Sequence, residues 1–279
     1  MSNTDQIAYW NGQAGEKWVR HAERLDALLE PFADEVLEIV SLIEGEHVLD
    51  VGCGAGALTL KAGFRVGDKR GAVGIDVSKP LLSLARLRAS ERGAPASFEE
   101  ADAALYRSER PVDALISRFG VMFFDDPVTA FANLRDSLKP EGRMVFACWQ
   151  ALSENDWARA PLEAALPLLP APPATPPPGT PGPFAFADKN RVASILTDAG
   201  WKGIVIHPWL GRVTLPGDTN SDAARFMMEL GPVARLVSEA GAELSQVEDA
   251  LAGSLAAHTD QNGRVTMPAA AWIVSAIRG

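Results

Sequence analysis

The stretch Val48 to Gly56, VLDVGCGAG, constrains this chain more than any other. An apolar run suited to a buried strand enters Gly52-Cys53-Gly54-Ala55-Gly56, and a helical pattern begins at once with Ala57 and Leu58. Glycines permit the tight turn and let a ligand approach the backbone closely. The turn also points the following helix's first N–H groups at that ligand. Strand, glycine turn and helix in this order describe a nucleotide-binding crevice at the carboxyl end of a first strand. Glycines alone are weak evidence, because a strand-to-helix turn often needs them for packing.

The flanking sequence carries the same alternation. Short β-rich runs EHVLDVG, GAVGIDVS, PASFEEA, VDALISRF and GRMVFACW are separated by helical patterns near 57–66, 79–92 and 127–138. Strands alternating with helices predict βαβ units and a parallel sheet covered on both faces. Ser78 before Pro80, and Asp126 before Pro127, are read as helix N-caps. Upstream, residues 5–44 read as helix, with a 3.6-residue stripe from Leu25 to Ile43 that Pro31 either kinks or splits. Downstream, residues 161–183 contain ten of the chain's twenty prolines. That segment is expected to form neither a strand nor a helix interior. It reads as a stiff connector or as the rim of a cap. A helix over 189–200, a strand over 203–214, helical pattern over 221–258 and a strand over 265–277 complete the chain.

Three acidic positions sharpen the crevice. Asp50 lies inside the first strand, where a buried carboxylate is costly unless paired. It is expected to meet a ligand ammonium, directly or through water. Asp76 ends the second strand, 24 residues after Gly52, where a carboxylate can accept both hydroxyls of a ribose. Asp102 ends the third strand, and spacing leaves two readings open: acceptor for an adenine amino group, or plain helix cap.

VLDVGCGAG, GIDVS, EEADA, VDALISRFGVMFF and KPEGRMVFACW, in this order and spacing, resemble class I S-adenosylmethionine-dependent methyltransferases. The similarity is to the small-molecule members of the "type 11" and ubiquinone/menaquinone-biosynthesis kind. It is clear over about 46–150 and looser beyond. The resemblance implies an α/β, Rossmann-like seven-stranded sheet of order 3-2-1-4-5-7-6 with the last strand antiparallel. It implies the cofactor S-adenosyl-L-methionine, with S-adenosyl-L-homocysteine as product. Gly52, Cys53 and Gly54 would line the methionine part, with Asp50 near its ammonium. Asp76 would hold the ribose and Val77 would touch the adenine ring. Asp102 and Ala103 would meet the adenine edge. Ser117, Arg118 and Phe119 would flank the methionine tail and the reacting methyl. The domains would be an N-terminal helical lid (1–44), the cofactor-binding core (45–150, 189–216 and 263–279), a proline-rich insertion (151–188) and a helical cap (217–262). The Ser117-Arg118-Phe119-Gly120 motif departs from the Asp/Asn-Pro-Pro-Tyr type, which argues against DNA adenine or glutamine side chains as substrates.

The expected reaction is transfer of a methyl group to a small, apolar or aromatic metabolite by in-line displacement, with O- or C-methylation favoured. For the acceptor side, Tyr9, Trp10, Trp18, His21, Met122 and Phe123 are the pocket candidates, against the simpler reading that the aromatic residues only pack. No catalytic residue is assigned, since a general base is needed only for a protonated nucleophile. Two alternatives stay open. One is a non-catalytic module that binds the same cofactor. The other is an NAD-dependent oxidoreductase, against which Asp50 and the Gly54-to-Gly56 spacing count. The formal net charge of −10 and the lack of a basic stripe exclude a nucleic-acid partner and disfavour an anionic membrane. Two cysteines, no signal-like N-terminus and no long apolar run suggest a cytoplasmic protein. No side-chain cluster has metal-ligand spacing. Neither the acceptor nor the oligomeric state is legible.

Overall fold

A computed structural model describes residues 3–67, 71–169, 177, 179–234 and 243–279 of the chain. Three helices come first: α1 (Asn3–Asn11), α2 (Gln13–Arg20) and α3 (Ala22–Val40). The single helical stretch expected over 5–44 is thus divided, with breaks at Gly12 and His21. Pro31, expected to kink or split the helix, lies inside an uninterrupted α3. Its ring and Ala27, whose carbonyl loses the i+4 donor, are both exposed, so water can replace the missing N–H. The opposite face buries Leu25, Leu29, Phe32, Val36 and Val40.

The α/β alternation then runs β1 (Val48–Val51), α4 (Ala57–Val66), β2 (Ala72–Asp76), α5 (Lys79–Arg92), β3 (Ala96–Glu100), β4 (Val112–Arg118), α6 (Pro127–Asp136) and β5 (Leu138–Trp149). It closes with α7 (Asp156–Ala165), α8 (Lys189–Asp198), β6 (Lys202–Thr214), α9 (Asn220–Glu229), α10 (Leu244–Leu255) and β7 (Thr266–Ile277). The seven strands order as 3-2-1-4-5-7-6, and β7 runs antiparallel to both β5 and β6. All four residues of β1 are buried, which is what a central strand covered on both faces requires.

From β1 the chain moves outward through β2 to β3, and from β4 it moves the other way to β5. Right-handed crossovers therefore put α4 and α5 on one face and α6 on the other. Between β1 and β4 the connections part, leaving a crevice at the strands' carboxyl ends. Gly52 and Gly120 meet there. Gly52 has φ +66°, and a Cβ on it would stand 2.6 Å from the Gly120 Cα.

Two local expectations need correction. Pro161, from the segment expected to exclude helix, sits inside α7. It is buried there with Ala158 and Ala165, and α7 packs on α10, so burial offsets the lost hydrogen bond. Residues 170–176 and 178 of that segment lie outside the described residues. Ser78 does not cap α5, because its hydroxyl donates instead to the Trp10 carbonyl at 2.8 Å. Asp126 does cap α6, accepting from the Thr129 N–H.

Candidate cofactor-binding site

The crevice opens into a cavity walled by the glycine turn, the carboxyl ends of β1 to β4, and the first three helices. Its floor is held by backbone hydrogen bonds. Gly52 and Cys53 both donate to the Ile75 carbonyl, at 2.9 and 3.1 Å. The Gly54 N–H donates to Asp76 Oδ2 at 2.8 Å. A Cβ on Gly54 would meet nothing within 4 Å, so the chain leaves open space above this residue.

Asp50 is the least expected group in this setting. It is only 1% exposed and lines the cavity. Thr59 Oγ1 donates to its Oδ2 at 2.6 Å, while its Oδ1 is buried without a partner. Burial pushes its carboxyl up to about 7, against the hydrogen bond from Thr59 and the charge of Arg118. A buried acceptor with no donor costs roughly 1–3 kcal/mol. A ligand cation placed against Oδ1 would remove that cost, so the site fits an ammonium.

Asp76 ends β2 with Oδ1 accepting from the Ser78 N–H at 2.9 Å and Oδ2 from Gly54. Burial raises its carboxyl above the usual range, opposed by those backbone bonds. Asp76 lines the cavity, and a carboxylate has about four lone-pair sites, enough to meet ligand hydroxyls besides these bonds. Val77, Ala103 and Asp102 line the same end. Asp102 Oδ1 accepts from the Ala104 N–H at 2.9 Å within a turn over 103–105; no helix lies among the described residues between β3 and β4, so the helix-cap reading of Asp102 is corrected to a turn contact. Cys53 lines the cavity too, and burial together with Asp76 and Asp50 drives its thiol upward, away from reactivity.

At the end of β4, Arg118 and Phe119 line the cavity and Ser117 does not. The Ser117 hydroxyl donates to the Val51 carbonyl at 2.7 Å and accepts from Gly120, clasping β4 to β1 below the cavity floor. Phe119 has φ +61°, a conformation that costs a non-glycine residue ~1–3 kcal/mol. Its ring stacks on Trp149 at 4.1 Å and meets Phe32 edge-on.

The helices before the sheet form the roof. Trp10, Trp18 and Phe123 line it, and Trp10 packs edge-to-face on both of the others. Three polar contacts tie this roof to the β2–α5 loop: the one from Ser78 to Trp10, Asn11 Nδ2 to the Val77 carbonyl at 2.8 Å, and the Lys79 N–H to Asn11 Oδ1 at 3.0 Å. Tyr9, His21 and Met122, proposed from the sequence for the pocket, are not brought there. Tyr9 is exposed, because α1 turns its other face inward. His21 Nε2 lies 2.9 Å from Glu229 Oε2 and its ring packs on Phe226 of α9. Met122 is buried in the main core. The sequence reading missed Gln6, Ala22, Leu25, Asp26 and Leu29, all of which line the cavity. On α3, positions 22, 25, 26 and 29 share one face, and the signal available was a carboxylate inside an apolar stripe. Among the described residues no helix is long and apolar enough to cross a membrane.

Comparison with known proteins agrees with this geometry. Residues 48–142 match the family described as "Methyltransferase domain". Aklanonic acid methyltransferase DauC of Streptomyces sp. (strain C5) is 32% identical over 122 residues, 42% of this chain and 54% of that protein. Nocamycin O-methyltransferase of Saccharothrix syringae is 31% identical over 137 residues, 47% of this chain and 48% of that protein. The matched stretch thus spans about half the length of these curated relatives. The YcgJ protein of Bacillus subtilis shares the fold, with TM-score 0.57 at 14% identity over 89% of this chain and 98% of that one. The sheet order is that of Rossmann-like methyltransferase folds, and through the glycine turn and the domain matched over residues 48–142 the chain is similar to class I S-adenosylmethionine-dependent methyltransferases.

Proposed function

We propose that the chain transfers a methyl group from S-adenosylmethionine to a small apolar or aromatic acceptor, at oxygen or carbon. The unpartnered Oδ1 of Asp50, buried in the cavity at the switch point, carries this reading. Asp50 would hold the cofactor's ammonium, Asp76 its ribose, and Val77, Asp102 and Ala103 its adenine. When bound, the cofactor supplies an electrophilic methyl on a sulfonium. The residues of this chain contribute orientation and exclusion of water, and positioning alone is worth ~7–11 kcal/mol of a barrier. The roof of Trp10, Trp18 and Phe123 would exclude water, and an aromatic face near a sulfonium attracts it by ~0.5–2 kcal/mol. Relatives named for aklanonic acid and nocamycin support a small-molecule acceptor. The domain roles follow: residues 1–44 as lid, the discontinuous α/β core (45–150, 189–216, 263–279) as cofactor platform, 151–188 as connector or cap rim, and 217–262 as cap.

One observation favours a second reading, a non-catalytic module binding the same cofactor. None of the chain's four histidines lines the cavity among the described residues. A protonated acceptor would then find only carboxylates as bases. Calorimetric titration with S-adenosylmethionine and S-adenosylhomocysteine, with NAD as control, tests the shared step. Binding of both sulfur compounds and not of NAD is expected. Binding of NAD alone, or of nothing by a folded and ligand-free preparation, sinks both readings. Transfer of labelled methyl to a panel of phenols, enols and carboxylic acids then separates enzyme from module.

A further inference from the structure

The roof and the cap come from distant parts of the chain and meet at the break between α2 and α3. Helix α9 packs on α10, and α10 packs on α7. Both stems of the cap leave the sheet side by side. There the Leu215 N–H donates to the Val265 carbonyl at 2.9 Å, and Thr259 and Val265 form an antiparallel bridge. From these stems the last turn of α9 reaches back to the roof. Glu229 Oε2 accepts from Arg20 Nη1 at 3.1 Å and lies 2.9 Å from His21 Nε2. The His21 ring meets Phe226 edge-on at 5.5 Å.

Local preference does not favour a carboxylate at position 229. A helix C-terminus carries partial negative charge, and α9 has no basic residue in its last turn. Arg20 and His21 supply the missing positive partners from another part of the chain. The hydrogen bond from His21 leads in holding the Glu229 carboxyl below its ordinary range, against burial. Positions 226 and 229 stand one turn apart on one face of α9, so a single docking engages both. Phe226 and His21 are buried, whereas the Glu229 and Arg20 side chains are 38% and 65% exposed. The junction is an apolar contact with a solvated ion cluster at its rim, and such clusters are weak enough to break and re-form in water.

The same corner is where the roof can turn. Helix α2 is eight residues long with a break at either end, and neither Gly12 nor His21 has helical dihedrals or a side-chain cap. Its leading end is held on the β2–α5 loop by the contacts of Trp10 and Asn11. Its trailing end, beyond Trp18, is held by Glu229. Ala22 and Leu25, directly after the break, line the cavity, while the four clasp residues stand outside it.

We infer that Glu229 latches the roof to the cap: α9 clasps the α2–α3 corner through Phe226 and Glu229, and release of the clasp lets α2 tilt and the cavity open. The latch sets how fast ligands enter and leave, not how tightly the floor holds them. A latch that must open for both entry and exit changes both rates by one factor and leaves affinity alone. Its use of S-adenosylhomocysteine as a probe rests on the cofactor assignment above, whereas the clasp itself is independent of it.

Hydrogen exchange on the full chain, free of ligand, tests the clasp. In Glu229→Ala the amides of 13–21 and 220–230 should exchange faster together, by about 2- to 10-fold, the range for losing part-exposed charged hydrogen bonds. Those of α8 should not change. Stopped-flow fluorescence with S-adenosylhomocysteine then tests the latch. Association and dissociation should both quicken by that factor, with Kd within about twofold of the wild type. Glu229→Gln, which keeps an acceptor without the charge, should fall between. Unchanged exchange in the two segments overturns the clasp. Faster exchange with unchanged binding rates overturns the latch, and so does faster dissociation alone, which marks a binding contact. If Glu229→Ala loses its thermal transition, Glu229→Gln decides on the same readings. A wild type that binds no S-adenosylhomocysteine overturns the cofactor assignment, and the exchange result then judges the clasp by itself.

Discussion

The floor and the roof of the cavity are built on different rules. On the floor, each functional position answers a demand that one residue type can meet. Gly52 must be glycine because its backbone is left-handed and Gly120 leaves no room for a Cβ. Asp50 and Asp76 are fixed by register at the ends of neighbouring parallel strands. In the roof, what matters is which side of a helix docks inward, and that depends on packing partners far away in the chain. Trp10 faces Phe123, more than a hundred positions away, while its neighbour Tyr9 is left exposed. A floor of this kind can be read locally, and a roof of this kind only after it has docked.

The largest effect that would break this contrast lies at Gly52. Gly52→Ala puts a methyl 2.6 Å from the Gly120 Cα and forces a left-handed conformation costing ~1–3 kcal/mol before any clash. Thermal melting should show clear destabilisation, and cofactor binding should be lost. An alanine variant that melts and binds like the wild type would show that the turn tolerates what its geometry forbids. Asp76→Ala comes next. It removes a charge-assisted contact worth ~1.5–3 kcal/mol, so affinity for S-adenosylhomocysteine should fall about 10- to 150-fold in a folded protein. Unchanged affinity would refute the ribose assignment.

These two effects also explain what was legible beforehand. The βαβ alternation, the glycine turn and the acidic positions Asp50 and Asp76 were legible in short segments, whereas the sheet order, the antiparallel β7, and the places of Cys53 and Val77 were implied only by the family resemblance. Ser117 looked equivalent to Arg118 in the motif, yet alternation within β4 turns its hydroxyl toward Val51, below the floor. His21 looked like a pocket residue, but the break between α2 and α3 delivers it to Glu229 and Phe226 instead. Asp26 stayed hidden because helical periodicity treats a lone carboxylate in an apolar stripe as a flaw, when Arg88 and Arg118 make it a junction. Pro31 and Pro161 misled for a related reason: solvation or burial of the surrounding face can absorb a missing N–H.

A third, smaller effect is a dependence on pH. Burial holds the Asp50 carboxyl near 7 rather than its ordinary 3.8. Between those values the native chain binds a proton that the unfolded chain has released, so Asp50 lowers stability progressively as pH rises through that window. Asp50→Asn should therefore melt higher than the wild type at neutral pH, with the gap closing toward acid. Binding has the opposite sign, since an ammonium favours the ionised carboxylate. Affinity for S-adenosylhomocysteine should rise severalfold from about pH 6 to about pH 8 in the wild type and stay flat in Asp50→Asn. Parallel profiles for the two proteins would mean that Oδ1 does not meet the ammonium. The groups that share this field are Arg118 on β4, Asp76 on β2, Thr59 on α4 and the Cys53 thiol.

The smallest effect tests the roof itself, through adjacent residues that sequence cannot tell apart. Tyr9 and Trp10 are both large, both aromatic and both on α1, and only docking separates them. Trp10 lines the cavity, meets Trp18 and Phe123 edge-to-face at 5.2 and 5.8 Å, and has its carbonyl held by Ser78. Tyr9 is 45% exposed, with its ring edge-on against Trp10. An aromatic pair is worth ~0.5–1.5 kcal/mol, so Trp10→Ala should weaken S-adenosylhomocysteine binding about 2- to 10-fold, mainly through faster release. Tyr9→Ala should change it less than about twofold. Stopped-flow displacement measures both rates directly. Equal effects from the two substitutions would mean that α1 acts by its helicity alone. The roof would then be a generic cover rather than a surface with an inward and an outward side.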